Sequence, residues 1–222
     1  MTRPLTIAVD GPGSAGKGTV ARSVARALGY RYVDTGAMYR AVAWAAQRRG
    51  VAWDDAEGAG AVARSVTIDF RWDGDLQRVL CDGVDVTEAI RTAEMGAGAS
   101  AVSVHPPVRA ALLGAQRALG AGGGVVMDGR DIGTVVLPDA DLKVFLDASL
   151  EERARRRHAE LVARGRDATL DDVTTALRAR DDQDRNRTVA PLREAGDAIR
   201  LDTTGLSIEQ ATQAVLRLAR ER

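Results

Sequence analysis

The sequence predicts an α/β domain, a doubly wound parallel five-stranded sheet covered on both faces by helices, with a small antiparallel sheet inserted into it. Three observations lead there. Five short apolar runs, 5–10, 30–34, 123–128, 141–147 and 198–203, are each partly β-branched and close at or near an aspartate. Helical patterns at 37–48, 107–119, 150–164, 169–187 and 207–221 separate most of them, and this alternation is the mark of a buried parallel sheet. One region, about 65–95, breaks the alternation and reads as two or three short strands with turn signals "DGD" (73–75) and "DG" (82–83), an antiparallel meander.

Taken in order, "LTIAVD" (5–10) is a strand that runs at once into glycines. The following "GTVARSVARAL" repeats Val20, Val24, Ala25 and Leu28 at helical spacing. The last helix opens on a Ser207-x-x-Gln210 capping box. Sheets of this kind bind ligands at the carboxyl ends of their strands, so the residues just past Asp10, Asp34 and Asp128 are the ones to inspect.

Composition limits the possibilities. The 222 residues, 45% of them hydrophobic, fit one compact domain over 1–222 with insertions. Acidic and basic side chains cancel at 31 each, so no global field recruits nucleic acid or a membrane. With one cysteine, Cys81, and two histidines, His105 and His158, there is neither an internal disulfide nor a zinc set. No charged-then-apolar leader and no apolar run near ~18 residues is evident, and a cytoplasmic setting is expected.

The stretch "DGPGSAGKGT" (10–19) nearly spells G-x-x-x-x-G-K-[ST]. Gly11, Gly13 and Gly16, with Pro12, Ser14 and Ala15 between them, bare backbone N–H groups that converge on phosphate oxygens, and the helix that follows adds its positive end. Lys17 supplies a full charge. Lys17 and Lys143 are the only lysines in an arginine-rich chain, and a guanidinium fork cannot stand in for a compact ammonium in a tight loop. A glycine-rich turn alone would look similar. The position after Lys17 is Gly18 and the hydroxyl arrives at Thr19, which puts direct Mg²⁺ ligation in doubt; this form resembles the loop of adenylate-kinase-like nucleoside monophosphate kinases.

Four further stretches are charged, and two of them follow strand ends. In "YVDTGAMYRAV" (32–42), Thr35 and Gly36 are expected to turn the chain and Arg40 to ride the first turns of a helix. In "DGRDIGTVV" (128–136), Asp128 closes a strand while Arg130 and Asp131 follow it. In "RARDDQDRNR" (178–187), Arg180, Asp184 and Arg187 stand at i, i+4 and i+7 on one helical face, which is equally the pattern of a solvated salt-bridge ladder. Arg153, Arg156 and Arg157 in "EERARRRHAEL" (151–161) share a face that is either a solvated helix or an arginine-bearing lid.

Together, "DGPGSAGKGT", "DTGAMYRAV", "GRDIGTVV" and "RDDQDRNR" resemble, in order and spacing, the bacterial type of the cytidylate kinase family, and the resemblance spans the chain. It implies a P-loop kinase that moves the γ-phosphoryl group of ATP to CMP or dCMP, with Mg²⁺, in pyrimidine nucleotide metabolism, acting as a monomer. It further implies an acceptor-binding region over 34–110 that includes the meander, and a lid over 150–168. ATP phosphates would lie on 11–19; Thr35, Arg40 and Arg130 would meet the acceptor; Asp131, Arg109 and Ser100 would read cytosine; Arg180, Asp184 and Arg187 would hold ribose and phosphate. Arg156 and Arg153 would fold onto the transferring group, and Thr19 and Asp128 would touch the metal only through water. Another small-molecule kinase of this fold, for uridylate or shikimate, is the alternative. A GTPase is excluded, because the only asparagine, Asn186, is followed by arginine rather than by the N-K-x-D guanine signature.

Overall fold

The computed structural model describes residues 3–74 and 76–222. Its centre is a five-stranded parallel sheet in the order β2-β6-β1-β7-β8, formed by β1 (Thr6–Asp10), β2 (Arg31–Asp34), β6 (Val125–Asp128), β7 (Leu142–Asp147) and β8 (Ile199–Asp202). Helices α1 (Lys17–Leu28), α2 (Thr35–Arg48), α3 (Ala56–Ser65), α4 (Ala93–Val102), α5 (Pro106–Gly120), α6 (Leu150–Ala163), α7 (Leu170–Asn186) and α8 (Ile208–Arg220) complete the layers. The period-two alternation of a strand sorts the core: Ile7 and Val9 join Val24 and Val215 beneath α1 and α8, whereas Ala8 joins Val33, Met127 and Ile132 on the opposite face.

The expected meander is a three-stranded antiparallel sheet of β3 (Ile68–Asp73), β4 (Leu76–Cys81) and β5 (Val84–Asp85). Asp75 of the "DGD" signal lies outside the described residues, while "DG" at 82–83 turns with both residues at positive φ. The inserted sheet lies against the free edge of β2. There the indole Nε1 of Trp72 donates to the Tyr32 carbonyl at 2.9 Å, and the Asp34 N–H donates to Gln77 Oε1 at 3.2 Å. Polar backbone groups that an edge strand leaves bare are thereby paired.

Three expectations are corrected. Thr35 and Gly36 do not form a turn: α2 begins at Thr35, because the Asp34 carboxylate accepts the Ala37 N–H and starts the helix where the strand stops. Helices α3 and α4 were not anticipated: α4 is rich in alanine and glycine and shows little amphipathic contrast, whereas α3 does bury one face, with Ala59, Val62 and Ala63, but spans only ten residues and carries Gly58 and Gly60. Arg187 is not on the helical face of α7 but is its C-cap, with extended backbone.

Candidate active site

The carboxyl ends of β1, β2 and β6 open onto a cleft of about 850 Å³. Its floor is the loop between β1 and α1. Gly11 has φ 147°, and a Cβ there would stand 1.9 Å from the Leu146 carbonyl oxygen, so only glycine lets β1 leave the sheet beside β7. Lys17 lies at the first turn of α1, 5% exposed, with Nζ donating to the Pro12 carbonyl at 2.6 Å. Burial, then the neighbouring Arg130, pushes its ammonium down to about 7. An anion beside it would restore the charge.

Gly18 answers to its neighbours. A Cβ at Gly18 would lie 3.1 Å from Tyr32 Oη and 3.8 Å from Asp128 Oδ2, and Tyr32 Oη donates to Asp128 Oδ1 at 2.9 Å. The Tyr32–Asp128 pair thus occupies the space that a side chain after Lys17 would take. Burial, with Asp34 nearby, raises the Asp128 carboxyl to about 6. Thr35 lines the cleft, and its hydroxyl donates to the Asp128 carbonyl at 2.8 Å.

Opposite the loop stands a guanidinium cluster. Arg40 is held by Asp34 at 2.6 Å, and its Nε is buried without a hydrogen-bond partner among the described residues. Arg130 Nε donates to Asp184 Oδ2 at 2.8 Å. Arg180 Nε is buried and likewise has no partner among the described residues; burial and Arg130 pull its pKa down to about 10. These three cations face the cleft together; Asp34 holds Arg40 and Asp184 holds Arg130, and the concentration of guanidiniums suits phosphate. Asp184 pairs across to Arg130 on another element and to Arg187 at 3.6 Å, so this face is not a solvated ladder along α7.

Asp131 lies deeper, 5% exposed, gripped by the Arg109 guanidinium on one oxygen and by Arg187 at 3.4 Å on the other. Arg109 lies over the Tyr39 ring at 5.4 Å and also donates to the Ser103 carbonyl at 3.2 Å. An acceptor flanked by forked donors can read a base edge that offers one amine and adjoining acceptors.

Residues 7–221 match a family model described as cytidylate kinase. The chain belongs to the cytidylate kinase family. Curated relatives carrying that name include those of Geobacter sp. (strain M21), 50% identical over 98% of this chain and 94% of the relative, and of Desulfitobacterium hafniense (strain Y51), 51% identical over the same shares. The relative in Geobacillus sp. (strain WCH70) is 47% identical over 100% of this chain and 99% of its own. Among solved structures, shikimate kinase from Acinetobacter baumannii, in complex with shikimate, aligns over 98% of this chain and 94% of its own with a TM-score of 0.51 at 16% identity, a likeness of fold alone.

In this cytidylate kinase family member most residues singled out from the sequence meet in the same cleft; Gly11, Pro12, Ser100 and Arg153 do not line it. Ser100 is engaged from α7, its carbonyl and hydroxyl accepting from Gln183 Nε2 at 2.8 and 3.3 Å, and Ser103 lines the cleft in its place. Arg153 is 4% exposed beneath the loop, donating to the Gly13 carbonyl at 3.2 Å and paired with buried Asp181 at 2.7 Å. Arg156 does reach the cleft, from the next turn of α6, where it donates to the Thr203 carbonyl at 2.7 Å. Sequence reasoning missed the loop 203–208, whose Leu206 and half-exposed Ile208 give the kinase cleft an apolar ledge beside α1, and it missed Arg164. Apart from the Ser207 capping box their spacing carries no motif; the sheet order, with β8 beside β7, brings in 203–208, and Arg164 comes from the carboxyl end of α6.

Proposed function

We propose that the protein transfers the γ-phosphoryl group of ATP to CMP, and to dCMP, giving ADP and CDP or dCDP. The observation that carries this reading is Asp131. It is a buried carboxylate between Arg109 and Arg187, at the far end of a cleft whose near end is a phosphate loop with a buried lysine. Cytosine offers an N4 amine to such a carboxylate and N3 and O2 to the guanidiniums; uracil, with a carbonyl at the same place, repels it.

On this reading residues 11–19 cradle the donor phosphates and Lys17 bridges them to the transferring group. The ledge of Leu206 and Ile208 takes the adenine. Arg40, Arg130 and Arg180 neutralise the acceptor phosphate, so that two anions can meet in line. Asp184 and Arg187 hold the ribose side, and Thr35 and Ser100 fix the walls, with Ser103 beside them. The acceptor's own phosphate oxygen is the nucleophile and is ionised near neutral pH, so no general base is required and catalysis is positioning and charge neutralisation. Residues 34–110 close over the acceptor and 150–168 form the lid, with Arg156 reaching the transferring group and Arg153 bracing the loop from below.

Among the described residues no group of three or more Asp, Glu, His or Cys is placed to hold a metal ion. The cleft instead offers isolated oxygens, the Thr19 hydroxyl and the Asp128 carboxylate, on the Lys17 side. This set fits Mg²⁺, which keeps much of its water and takes its other ligands from substrate phosphates. When bound, Mg²⁺ neutralises charge between donor and acceptor. Balanced charge supports small-molecule substrates rather than nucleic acid. Among the described residues no helix is long and apolar enough to cross a membrane, and we take the working form to be a cytoplasmic monomer.

The reading is tested by measuring ADP formation from ATP with CMP, dCMP and UMP. CMP and dCMP are expected to turn over efficiently and UMP poorly; equal use of UMP would overturn the base assignment.

A further inference from the structure

Asp10 closes β1 one residue before the phosphate loop, and neither the loop motif nor the acceptor-binding residues include it. Its carboxylate is 5% exposed and does not line the cleft. Both oxygens are used: Oδ1 accepts the Ile132 N–H at 2.8 Å and Oδ2 accepts the Gly133 N–H at 2.7 Å. These are the first two residues of a single π turn, Ile132–Val136, that directly follows Arg130 and Asp131. The N–H groups that open a helical turn have no partner within it, and an anion there satisfies them and meets the positive end of the turn.

The same turn is held elsewhere. At its carboxyl end Arg117 of α5 donates to the Val135 carbonyl at 3.0 Å and to the Val136 carbonyl at 3.3 Å. The Asp131 carbonyl accepts the N–H of Val135 and of Val136, at 2.9 and 3.1 Å, and so belongs to the turn. From below, the stem of Lys143 passes so close to Gly133 that a Cβ there would lie 3.1 Å from Lys143 Cδ. Gly129, just ahead, donates to the Val9 carbonyl at 3.0 Å. The Arg130–Asp131 backbone is therefore bounded on both sides by bonds to the end of β1, the strand that launches the phosphate loop.

We propose that Asp10 is a positioning residue for acceptor choice: through Ile132 and Gly133 its carboxylate fixes Arg130 and Asp131 in register with the phosphate loop. The proposal rests on the reading of the cleft as a CMP site and adds a residue that touches neither substrate. A carboxylate is required because two N–H donors must be accepted at once. In Asp10→Asn one of those positions becomes an NH₂ facing an N–H, and that end of the turn is released.

The test compares wild type with Asp10→Asn for kcat and KM toward CMP, UMP and ATP, together with amide hydrogen exchange over residues 129–137. In a variant that unfolds cooperatively, kcat/KM for CMP is expected to fall about tenfold or more. The CMP-to-UMP ratio should shrink at least about threefold and KM for ATP should move by less than that, while the Ile132 and Gly133 amides exchange faster. A merely structural role lowers activity on both acceptors by one factor, so an unchanged ratio in the folded variant overturns the proposal. Should Asp10→Asn fail to fold, Arg117→Gln releases the other end of the turn from an exposed position, and an unchanged ratio there is equally fatal. Failure of the wild type to phosphorylate CMP would be seen before any variant is made and would remove the functional reading itself, and the positioning role with it.

Discussion

Tyr32 Oη stands 3.1 Å from the point at which Gly18 would carry a Cβ, and that hydroxyl is bound to Asp128. The glycine after Lys17 is thus the complement of a tyrosine–aspartate pair on β2 and β6. Gly18→Ser, which restores the common G-K-S spelling, is expected to displace the pair and lower kcat/KM about three- to tenfold. Adding Tyr32→Phe should return part of the loss, a coupling that a double-mutant cycle measures.

Lys17→Met should lower turnover at least about a hundredfold, because it removes charge where charge accumulates in the transition state. The same substitution should not destabilise the protein. Burial already presses the Lys17 ammonium down to about 7, so the folded state gains little from it without substrate. Thermal unfolding of the ligand-free variant, at or above the wild-type midpoint, checks this.

Asp131→Asn is expected to cut kcat/KM for CMP by roughly ten- to a hundredfold, the cost of about 1.5–3 kcal/mol for a hydrogen bond to a charged group. The margin of CMP over UMP should narrow with it. Asp131→Ala should in addition lose stability, since Arg109 would be left buried without its anion and Arg187 with Asp184 alone.

Arg153 and Arg156 separate along the first turns of α6. Arg153→Met breaks a buried pair with Asp181 and should cost about 3–5 kcal/mol in stability. Arg156→Met should leave stability nearly unchanged and act on kcat. Denaturant unfolding beside steady-state kinetics distinguishes the two.

Burial raises the Asp10 carboxyl from 3.8 to about 6. The folded state therefore holds a proton between those values that the unfolded chain has released. Its stabilising contribution is full below about pH 4 and is lost as pH rises through 6. Through this group wild type should lose on the order of 2–3 kcal/mol between about pH 4 and pH 8, a pH dependence that Asp10→Asn, with no proton to release, lacks. Chemical denaturation of both proteins at the two pH values reads the difference.

Strands β1, β2, β6, β7 and β8 were legible because each is a short apolar run punctuated by an aspartate, and helices with a clear apolar stripe were legible for the same reason. Helix α4 was not, since alanine and glycine satisfy a helix without marking a face, and the apolar face of α3 is made in ten residues largely of alanine and glycine, too short a run to stand out. The glycine-rich loop, Arg40, Arg130 and Asp131 could be singled out because they follow strand ends, where local order in the sequence is also order in space. Arg153 shows the limit. Its spacing with Arg156 says that both lie on one side of α6, but only the packing of α7, which brings Asp181 beneath the loop, turns one of them inward. Asp10 was passed over as the last letter of a strand; its partners lie more than a hundred residues away.

The central claim is most directly tested by one coupled assay of ATP consumption against CMP, dCMP, UMP, AMP and shikimate at equal concentration. Rapid ADP release with CMP and dCMP, and turnover at least about tenfold lower with each of the others, is the expected result. Preference for UMP or shikimate, or no acceptor-dependent ADP release with CMP, would contradict it.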